Sequence, residues 1–320
     1  MVNLSKELEN AKTIGISGHI RPDGDCVGST MGLFLYIKKT RPDADVHIYL
    51  EKPADIFDCI KDIECVEDAK DCNINFDVFF AVDCGKERLG DSERLFDNAK
   101  TTINIDHHVS NPGTGSFNYI VPDASSASEL VLDLLDRDML DTDIAKALYI
   151  GIIHDTGVLQ YSNTSPKTLR AVADLLTYNF DFSKLIDETF YQKSYLQTQI
   201  LGRALLESFL VMDGKVSVSQ VDRKMMEFYQ VVPHDLDGIV SQLRLIKGVE
   251  VAIFMYQLDT MEYKVSLRSN GLIDVARVTK DFGGGGHVRA AGCTVRGSFH
   301  DVVNNITQRI EAQIKDLKID

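Results

Sequence analysis

The sequence has fewer basic than acidic residues, and this imbalance limits the classes of molecule that the protein could bind. Its 320 residues include 34 Lys and Arg against 48 Asp and Glu, which gives a net charge of −14. Proteins that bind long duplex nucleic acid use a broad basic surface, because Lys and Arg displace the counterions of the phosphates. The charge balance therefore argues against a long-duplex partner. A small phosphate substrate is compatible with this net charge if divalent metal ions in the site present positive charge to the phosphate.

The sequence also lacks the features of membrane, exported and disulfide-bonded proteins. No apolar run approaches the ~20 residues that a bilayer span requires. The first ten residues are polar and acidic, without the basic-then-apolar order of a signal peptide. The six cysteines include no Cys-x-x-Cys pair, which argues against a disulfide scaffold and a thiolate zinc site. We therefore expect a cytoplasmic protein with no membrane partner.

The first half of the chain alternates strand patterns with helix patterns. This order is typical of a mostly parallel α/β sheet, whose ligands lie at the carboxyl ends of the strands. Strands are predicted at Thr13–Gly18, Val46–Leu50, Phe76–Val82 and Thr101–Ile105. Helices are predicted at Val27–Lys39, Ala54–Ile60, Ser92–Ala99, Ser125–Asp136, Asp143–Ile153 and Lys167–Tyr178.

A smaller α/β pattern follows in the second half. We expect a first domain over 1–190, a helical connector without a strand over about 182–210, and a second domain over 211–320. Its strands are predicted at Lys215–Val221, Val249–Leu258, Tyr263–Arg268 and Ala291–Arg296. Its helices are predicted at Leu236–Ile246, Ile273–Asp281 and His300–Leu317.

Acidic and histidine side chains collect where the predicted strands and helices end. The four motifs are Gly18-His19-Ile20-Arg21-Pro22-Asp23-Gly24-Asp25, Val82-Asp83-Cys84-Gly85, Asp106-His107-His108 and Gly151-Ile152-Ile153-His154-Asp155-Thr156-Gly157. Each motif alone would be an ordinary turn or helix cap, and His154, inside an apolar helix, is expected to be packed rather than to bind a metal. Together they would place five carboxylates at one edge of the sheet.

Five crowded carboxylates repel one another unless cations lie among them. A mixture of imidazole and carboxylate suits Mn²⁺ or another borderline divalent metal better than Ca²⁺. The motifs offer more ligands than one ion needs. The sequence therefore predicts a two-metal site, which could activate a water molecule and neutralise a phosphate.

A glycine-rich segment in the second half is the remaining candidate for ligand binding. It reads Phe282-Gly283-Gly284-Gly285-Gly286-His287-Val288-Arg289. Successive glycines allow a backbone to approach a ligand closely and to offer N–H groups to an anion, although a lone glycine run is usually a hinge. His287 and Arg289 could add charge-assisted hydrogen bonds to phosphate, and Arg268 and Ser269 end a predicted strand upstream.

These motifs resemble those of the DHH phosphoesterase superfamily, with a glycine-His287 segment similar to that of the associated DHHA1 domain. The resemblance covers nearly the whole chain, and the two-domain layout is similar to the bifunctional oligoribonuclease and 3′-phosphoadenosine 5′-phosphate (PAP) phosphatase type, called NrnA-like. It implies an α/β fold in which a DHH domain is joined by a helical linker to a smaller DHHA1 domain, with the active-site cleft between them.

The resemblance also implies a role for each matching position. His19, Asp23 and Asp83 would hold one Mn²⁺, and Asp25, Asp83, His107 and Asp155 would hold the other, with Mg²⁺ or Co²⁺ as substitutes. His108 would lie beside the substrate phosphate or support the metal ligands, and Asp106 would orient a histidine. The residues expected to bind substrate are Arg268, Ser269, Gly284, Gly285, Gly286, His287 and Arg289. Arg88 and Asn111 lie near motifs and are weaker candidates.

The implied activity is hydrolysis of short oligoribonucleotides, of linear dinucleotides such as pApA and pGpG, and of PAP, by a hydroxide activated by two metals. The alternatives are a cyclic-di-AMP phosphodiesterase, a RecJ-like single-strand exonuclease and a family II inorganic pyrophosphatase. A nucleotide-binding regulator without activity is the alternative that is not an enzyme. A homodimer stays an open option, and the sequence does not rank the substrates.

Overall fold

The computed structural model describes residues 4–316, apart from the side chain of Ser5. The chain divides into two compact units, Met1–Gln192 and Lys193–Asp320. Among the described residues, none of the helices is both long and apolar enough to span a membrane.

The first unit is built on a six-stranded sheet in which every neighbouring pair is parallel. The strands are β1 (Thr13–Ser17), β2 (Asp45–Tyr49), β3 (Val66–Glu67), β4 (Val78–Val82), β5 (Thr101–Asp106) and β6 (Phe117–Ile120). Their order across the sheet is β3-β2-β1-β4-β5-β6. The α/β fold expected from the sequence is confirmed. β3 and β6 were not expected, because both are short edge strands and neither is an apolar run.

In the described part of the first unit, seven helices accompany this sheet. They are α1 (Leu4–Leu8), α2 (Gly24–Thr40), α3 (Glu93–Asn98), α4 (Ala127–Leu134), α5 (Thr142–Asp155), α6 (Pro166–Leu176) and α7 (Phe182–Ile186). A π-helical turn, Asp187–Tyr191, follows α7. The predicted helix Ala54–Ile60 is wrong, since this segment forms only a 3₁₀ turn at Asp55–Phe57. The buried residues of the segment are Phe57 and Ile60, which are three positions apart. A single 3₁₀ turn places residues at this spacing on the same side, so their burial does not require an α-helix.

Helices α2 and α5 pack closely enough to exclude side chains at their contact. A Cβ added to Gly28 of α2 would lie 2.6 Å from the Ala147 carbonyl oxygen and 2.6 Å from the Gly151 nitrogen, both in α5. Most of α2 is buried, from Gly24 to Ile37. The contact therefore fixes the start of α2 relative to the end of α5, where Asp25 and Asp155 lie.

The second unit contains a mixed six-stranded sheet. Its strands are β7 (Phe209–Val211), β8 (Val216–Val221), β9 (Val251–Asp259), β10 (Glu262–Ser269), β11 (Gly285–His287) and β12 (Ala290–Arg296), in the order β11-β12-β10-β9-β8-β7. Only β8 and β9 pair in parallel among these described strands. Its helices are α8 (Tyr195–Leu206), α9 (Arg223–Tyr229), α10 (Ile239–Arg244), α11 (Val275–Lys280) and α12 (Phe299–Asp316).

One prediction for this part of the chain needs correction. The connector predicted to have no strand contains β7, whose Phe209 and Leu210 are largely exposed at the sheet edge, so no buried apolar pattern marks it. The glycine segment, whose ordinary reading was a hinge, forms β11 and pairs with β12. The last residue of the predicted helix His300–Leu317 lies outside the described residues.

Candidate metal centre

Strand order brings the motifs of the first unit to one edge of its sheet. β1, β4 and β5 are neighbours, and His19, Asp83 and the Asp106–His108 segment follow their carboxyl ends or form them. Asp25 lies in the first turn of α2, and Asp155 is the last residue of α5. All six residues predicted to bind metal therefore belong to the first unit.

Asp83 lies at the middle of the cluster and faces two histidines. Its Oδ2 is 3.4 Å from His19 Nε2, and its Oδ1 is 3.4 Å from His107 Nε2. The residue is buried and has φ +63°, a left-handed conformation that turns the chain sharply after β4. Oδ1 accepts no hydrogen bond from any residue in the described part of the chain, so a buried carboxylate oxygen is left without a donor.

The first group of candidate ligands lies around His19. The Nδ1 of His19 is 2.9 Å from the Ile20 carbonyl oxygen, and a proton shared there leaves the Nε2 lone pair available. Asp23 caps α2, with its Oδ1 accepting from the N–H groups of Asp25 and Cys26, and the same oxygen is 3.7 Å from His19 Nε2. Cys26, which the sequence did not single out, brings its buried sulfur within 4.8 Å of ligand atoms of His19 and Asp83.

The second group lies around His107. Its Nε2 is 3.6 Å from Asp155 Oδ2 and 3.8 Å from Asp25 Oδ2, in addition to the contact with Asp83. Asp25 is itself held in place, because its two oxygens accept from the N–H groups of Ala127 and Ser128 at 2.6 and 2.9 Å. These two N–H groups belong to the first turn of α4, where the helix favours a negative charge.

The charges of the cluster are unbalanced without a cation. Burial by itself would lower the pKa of His19, but the carboxylates of Asp23 and Asp83 raise it to about 10. The pKa of His107 likewise rises to about 10 against the effect of burial, mainly through Asp83 and Asp25. Burial together with the charge of Asp83 raises the pKa of Asp155 to about 6 and that of Asp25 well above its ordinary value.

The donor set fits divalent metal ions. Two imidazole nitrogens lie among four carboxylates, and all four carboxylates raise the pKa of a neighbouring histidine, which a bound cation would relieve. The contacts of 3.4–3.8 Å are longer than hydrogen bonds and near the roughly 3–3.5 Å between atoms that share an ion at about 2.1 Å. Asp83, with one oxygen toward each group, is placed to belong to both.

Asp106 and His108 form a hydrogen-bonded unit beside Asp83, whose Oδ1 is 3.8 Å from His108 Nδ1. Asp106 Oδ1 accepts from the backbone N–H groups of His107 and His108 and lies 2.7 Å from His108 Nδ1, while Oδ2 accepts from Asn111 at 2.7 Å. Both oxygens of the fully buried Asp106 are therefore used within the protein, and it positions the two histidines. His108 is partly exposed, with Nε2 left for another partner.

Two asparagines that the sequence did not reveal complete the support. Asn104 donates to the carbonyl oxygens of Ala81 and Cys84 and accepts from Asn111, which ties the end of β4 to the His107 segment. Asn163 donates to the carbonyl oxygens of Ser125 and Asp155 and lies 3.5 Å from Asp155 Oδ2. Isolated asparagines have no spacing signature, so only the structure identifies them.

His154 is packed rather than directed at the cluster. Its ring lies against Phe57 and Phe190, and its Nε2 is 3.1 Å from the Thr189 hydroxyl. Burial lowers the pKa of His154 to about 4, which keeps the imidazole neutral.

The residues predicted to bind substrate lie in the second unit. His287 and Arg289 are exposed at the β11–β12 hairpin, and Arg268 is near the end of β10. The hydroxyl of Ser269 is buried and donates to Glu250, so it serves the fold. The backbone N–H groups of Gly283 and Gly284 donate to carbonyl oxygens of Lys280 and Thr279, which leaves fewer N–H groups for an anion than the glycine run suggests.

Comparison with known proteins identifies both units. The model of the DHH family, N-terminal domain, matches residues 13–152, and the DHHA1 domain model matches residues 213–316. The chain is 28% identical to the bifunctional oligoribonuclease and PAP phosphatase NrnA of Thermus thermophilus, over 89% of this chain and 84% of that one. It is 30% identical to a probable bifunctional oligoribonuclease and PAP phosphatase NrnA of Streptococcus mutans, over 88% of each chain.

A solved structure has the same fold. An exopolyphosphatase-related protein from Bacteroides fragilis superposes with a TM-score of 0.89 at 23% identity, covering 98% of this chain and 96% of that one. Since both domain models match in order and a 30% identical relative aligns over most of its length, the chain belongs to the DHH family of phosphoesterases and carries a DHHA1 domain.

Proposed function

We propose that the protein is a Mn²⁺-dependent phosphoesterase that hydrolyses short oligoribonucleotides, linear dinucleotides such as pApA and pGpG, and PAP. The names of the two relatives support this substrate class. The observation that carries the metal dependence is the position of Asp83, whose two oxygens face the ligand groups around His19 and His107. Two-metal phosphoesterases hold their ions about 3.5–4 Å apart, and a carboxylate with one oxygen toward each group would contribute to both ions.

The residues present would hold the ions in two sets that share Asp83. His19, Asp23 and Asp83 would bind one ion, and Asp25, Asp83, His107 and Asp155 would bind the other. When bound, the ions supply positive charge to the phosphate oxygens and lower the pKa of a water molecule. Imidazole mixed with carboxylate favours Mn²⁺ over Ca²⁺ for these sets.

The chain's own groups orient the reaction. Asp106 holds His108 through Nδ1, so Nε2 is the atom that can donate a hydrogen bond to a phosphate oxygen when the ring is protonated. The hydrogen bond that His108 donates to Asp106 raises the pKa of His108 and so favours this protonated form. Arg268, His287 and Arg289 of the DHHA1 unit supply the remaining charge for substrate phosphate, while Ser269 does not, because its hydroxyl is used by Glu250.

A substrate panel tests the proposal. Purified protein with Mn²⁺ is offered pApA, pGpG, PAP, cyclic di-AMP, a short RNA and pyrophosphate in parallel, with EDTA-treated protein as the control. We expect turnover of the linear dinucleotides and PAP, and none after EDTA treatment.

The other outcomes point to specific alternatives. Turnover of pyrophosphate alone would replace the proposal with a pyrophosphatase. A preference for cyclic di-AMP would indicate a cyclic-dinucleotide phosphodiesterase. Bound Mn²⁺ without turnover of any substrate would favour a nucleotide-binding regulator.

A further inference from the structure

A cavity of about 740 Å³ opens beside the metal cluster within the first unit. Residues after the carboxyl ends of β1 and β2 line it, together with β3 and the segment before α3. Ligands of open α/β sheets bind at this edge, and pockets of about 300–1,000 Å³ hold small organic molecules. Neither the metal ligands nor the proposed phosphate contacts account for this space.

The cavity and the cluster share one residue. His19, whose Nε2 faces Asp83 and Asp23, is also part of the cavity lining, with Gly18 and Ile20 on either side. A phosphate at the cluster would therefore lie next to a residue of the cavity lining, and a group attached to that phosphate would extend past His19 toward the cavity. The cavity is placed to receive what the phosphoester carries, rather than a second, independent ligand.

The walls of the cavity suit a flat, largely apolar group. Leu50, Ile63, Val66, Leu89 and Tyr49 are among the residues that line it. Burial of such surface stabilises a bound ring by roughly 25 cal/mol for each Å² removed from water. A nucleobase has this character.

The rim of the cavity carries hydrogen-bond acceptors and little positive charge. Glu51, Glu64, Glu67 and Asp68 are exposed there, and Lys52 is the cation among the residues that line it. Carboxylates accept hydrogen bonds from sugar hydroxyls and base amino groups but repel phosphate. All four are exposed to solvent, which does not favour a site for a bare metal ion.

We propose that this cavity is a nucleoside subsite, which takes the base and ribose of the nucleotide whose phosphate lies at the metal cluster. The proposal rests on the proposed function and assigns it a substrate contact. Glu51 follows β2 and accepts the backbone N–H of Arg21 through Oε2, which leaves Oε1 for a ribose hydroxyl. The enzyme should therefore distinguish phosphoesters that carry a nucleoside from those that do not.

Filling the cavity tests this assignment. In Ile63→Trp a bulky ring occupies space between β3 and the segment before it, whereas Ile56→Trp adds the same ring at an exposed residue outside the lining, as a matched control. The chain has no native tryptophan, so the emission of each variant also reports whether it is folded. Each protein is assayed with pApA and with bis(p-nitrophenyl) phosphate, a diester without a nucleoside.

We expect Ile63→Trp to raise KM for pApA by about tenfold or more while kcat/KM for the nucleoside-free diester stays within about twofold. Ile56→Trp should change neither value. An unchanged KM for pApA, or an equal loss on both substrates in a folded variant, would overturn the subsite. Ile63→Phe, a smaller change, gives the same comparison if the tryptophan variant does not fold.

A binding measurement separates this proposal from the proposed function. Equilibrium dialysis of adenosine against the wild-type protein, Ile63→Trp and Ile56→Trp requires no catalysis. Adenosine should bind the wild-type protein and Ile56→Trp, and binding should weaken about tenfold or more in Ile63→Trp. Equal binding of adenosine by all three proteins would refute the subsite even if pApA is hydrolysed. Loss of adenosine binding in Ile63→Trp alone, without hydrolysis of any substrate, would refute only the enzymatic proposal.

Discussion

At the scale of single residues, Asp83 has a position that no other carboxylate of the cluster shares among the described residues. Each of its oxygens is 3.4 Å from the Nε2 of a different histidine. We expect Asp83→Ala to reduce kcat to below a few per cent of the wild-type value, because both ions lose a ligand. Mn²⁺ titration followed by electron paramagnetic resonance should show a loss of affinity at both sites.

The control for this substitution is Asp138→Asn, which changes an exposed aspartate far from the cluster in sequence. It should leave both kcat and Mn²⁺ affinity unchanged. If Asp83→Ala kept two tightly bound Mn²⁺ ions, the shared role assigned to Asp83 would be wrong.

Asn111 contributes to the site through its hydrogen bonds to Asp106 and Asn104. Its Nδ2 donates to Asp106 and Asn104, and its Oδ1 accepts from Gly113. Asn111→Ala should lower kcat by about 10–100-fold, the usual effect of removing a residue that orients a metal-binding histidine. Asn118→Ala removes an exposed asparagine of β6 and should have little effect on the rate. A wild-type rate and metal affinity in Asn111→Ala would show that Asp106 needs no such support.

The sequence could predict which residues form the cluster but not how they are held. His19, Asp25, Asp83 and Asp155 stand in motifs at element ends, and parallel strands bring such ends together. The supporting contacts depend on atoms that lie far apart in the chain, such as the Asp25 carboxylate on the α4 N-terminus. The burial of Ser269 against Glu250 could not be predicted from the sequence either. A serine at the end of a strand gives the same sequence pattern whether its side chain points to solvent or to the core.

At the scale of elements, the α2–α5 contact connects stability with metal binding. Gly28→Ala places a Cβ 2.6 Å from backbone atoms of α5, which cannot move as a side chain could. We expect a loss of about 1–3 kcal/mol in unfolding free energy, together with weaker Mn²⁺ binding, because Asp25 and Asp155 move apart. Chemical denaturation and Mn²⁺ titration measure the two effects.

Gly202→Ala is the matched control for this change. It lies within α8, and nothing is found within 4 Å of an added Cβ. The substitution should stabilise the protein by about 0.5–1 kcal/mol, since alanine is the better helix former. Equal behaviour of the two variants would mean that the contact between α2 and α5 is looser than the structure shows.

A buried glutamate links α4 to α6 and gives the protein a pH-dependent element. Glu129 accepts from the hydroxyls of Ser125 and Thr168, both at 2.7 Å, and lies 3.3 Å from Lys167 Nζ. Burial would raise the pKa of Glu129, but the two hydroxyls and the lysine lower it below the ordinary 4.5. A lowered pKa in the folded state stabilises the protein above pH 4.5, and this contribution is lost as pH falls through the folded-state value.

Glu129→Gln should therefore cost about 1–3 kcal/mol of unfolding free energy at pH 7, and the difference from wild type should shrink below pH 4.5. Urea unfolding at a series of pH values measures it. Glu188→Gln removes an exposed partner of Lys184 and should change stability by less than about 0.5 kcal/mol. A constant difference at all pH values would contradict the assignment.

Most elements followed from their apolar patterns, and the exceptions have physical causes. β4 is buried at every position, so its apolar run is unambiguous. β3 has two residues and β7 is largely exposed, so each depends on pairing with a neighbour rather than on its own pattern. α9 has no fully buried residue, which leaves it without the stripe that marks an amphipathic helix.

At the scale of the whole molecule, each unit has its own hydrophobic core. In the first unit, one core around Ile16, Phe34 and Ile105 lies on one side of the sheet, and a smaller one around Phe76 and Phe79 lies apart from it. In the second unit, two further clusters are formed from its own strands and helices. Unfolding of the chain therefore need not be a single two-state transition.

Metal binding should protect the first unit selectively, since all six proposed ligands belong to it. At 100 times the dissociation constant, a bound ion stabilises the folded state that holds it by about 2.7 kcal/mol. Hydrogen–deuterium exchange with Mn²⁺ and after EDTA treatment should show slower exchange near β1, β4, β5 and the ends of α2 and α5. Residues 193–316 should exchange at the same rate in both conditions. Equal protection of these residues by Mn²⁺ would mean that the ions stabilise both units together and that the folding of the two units is energetically coupled.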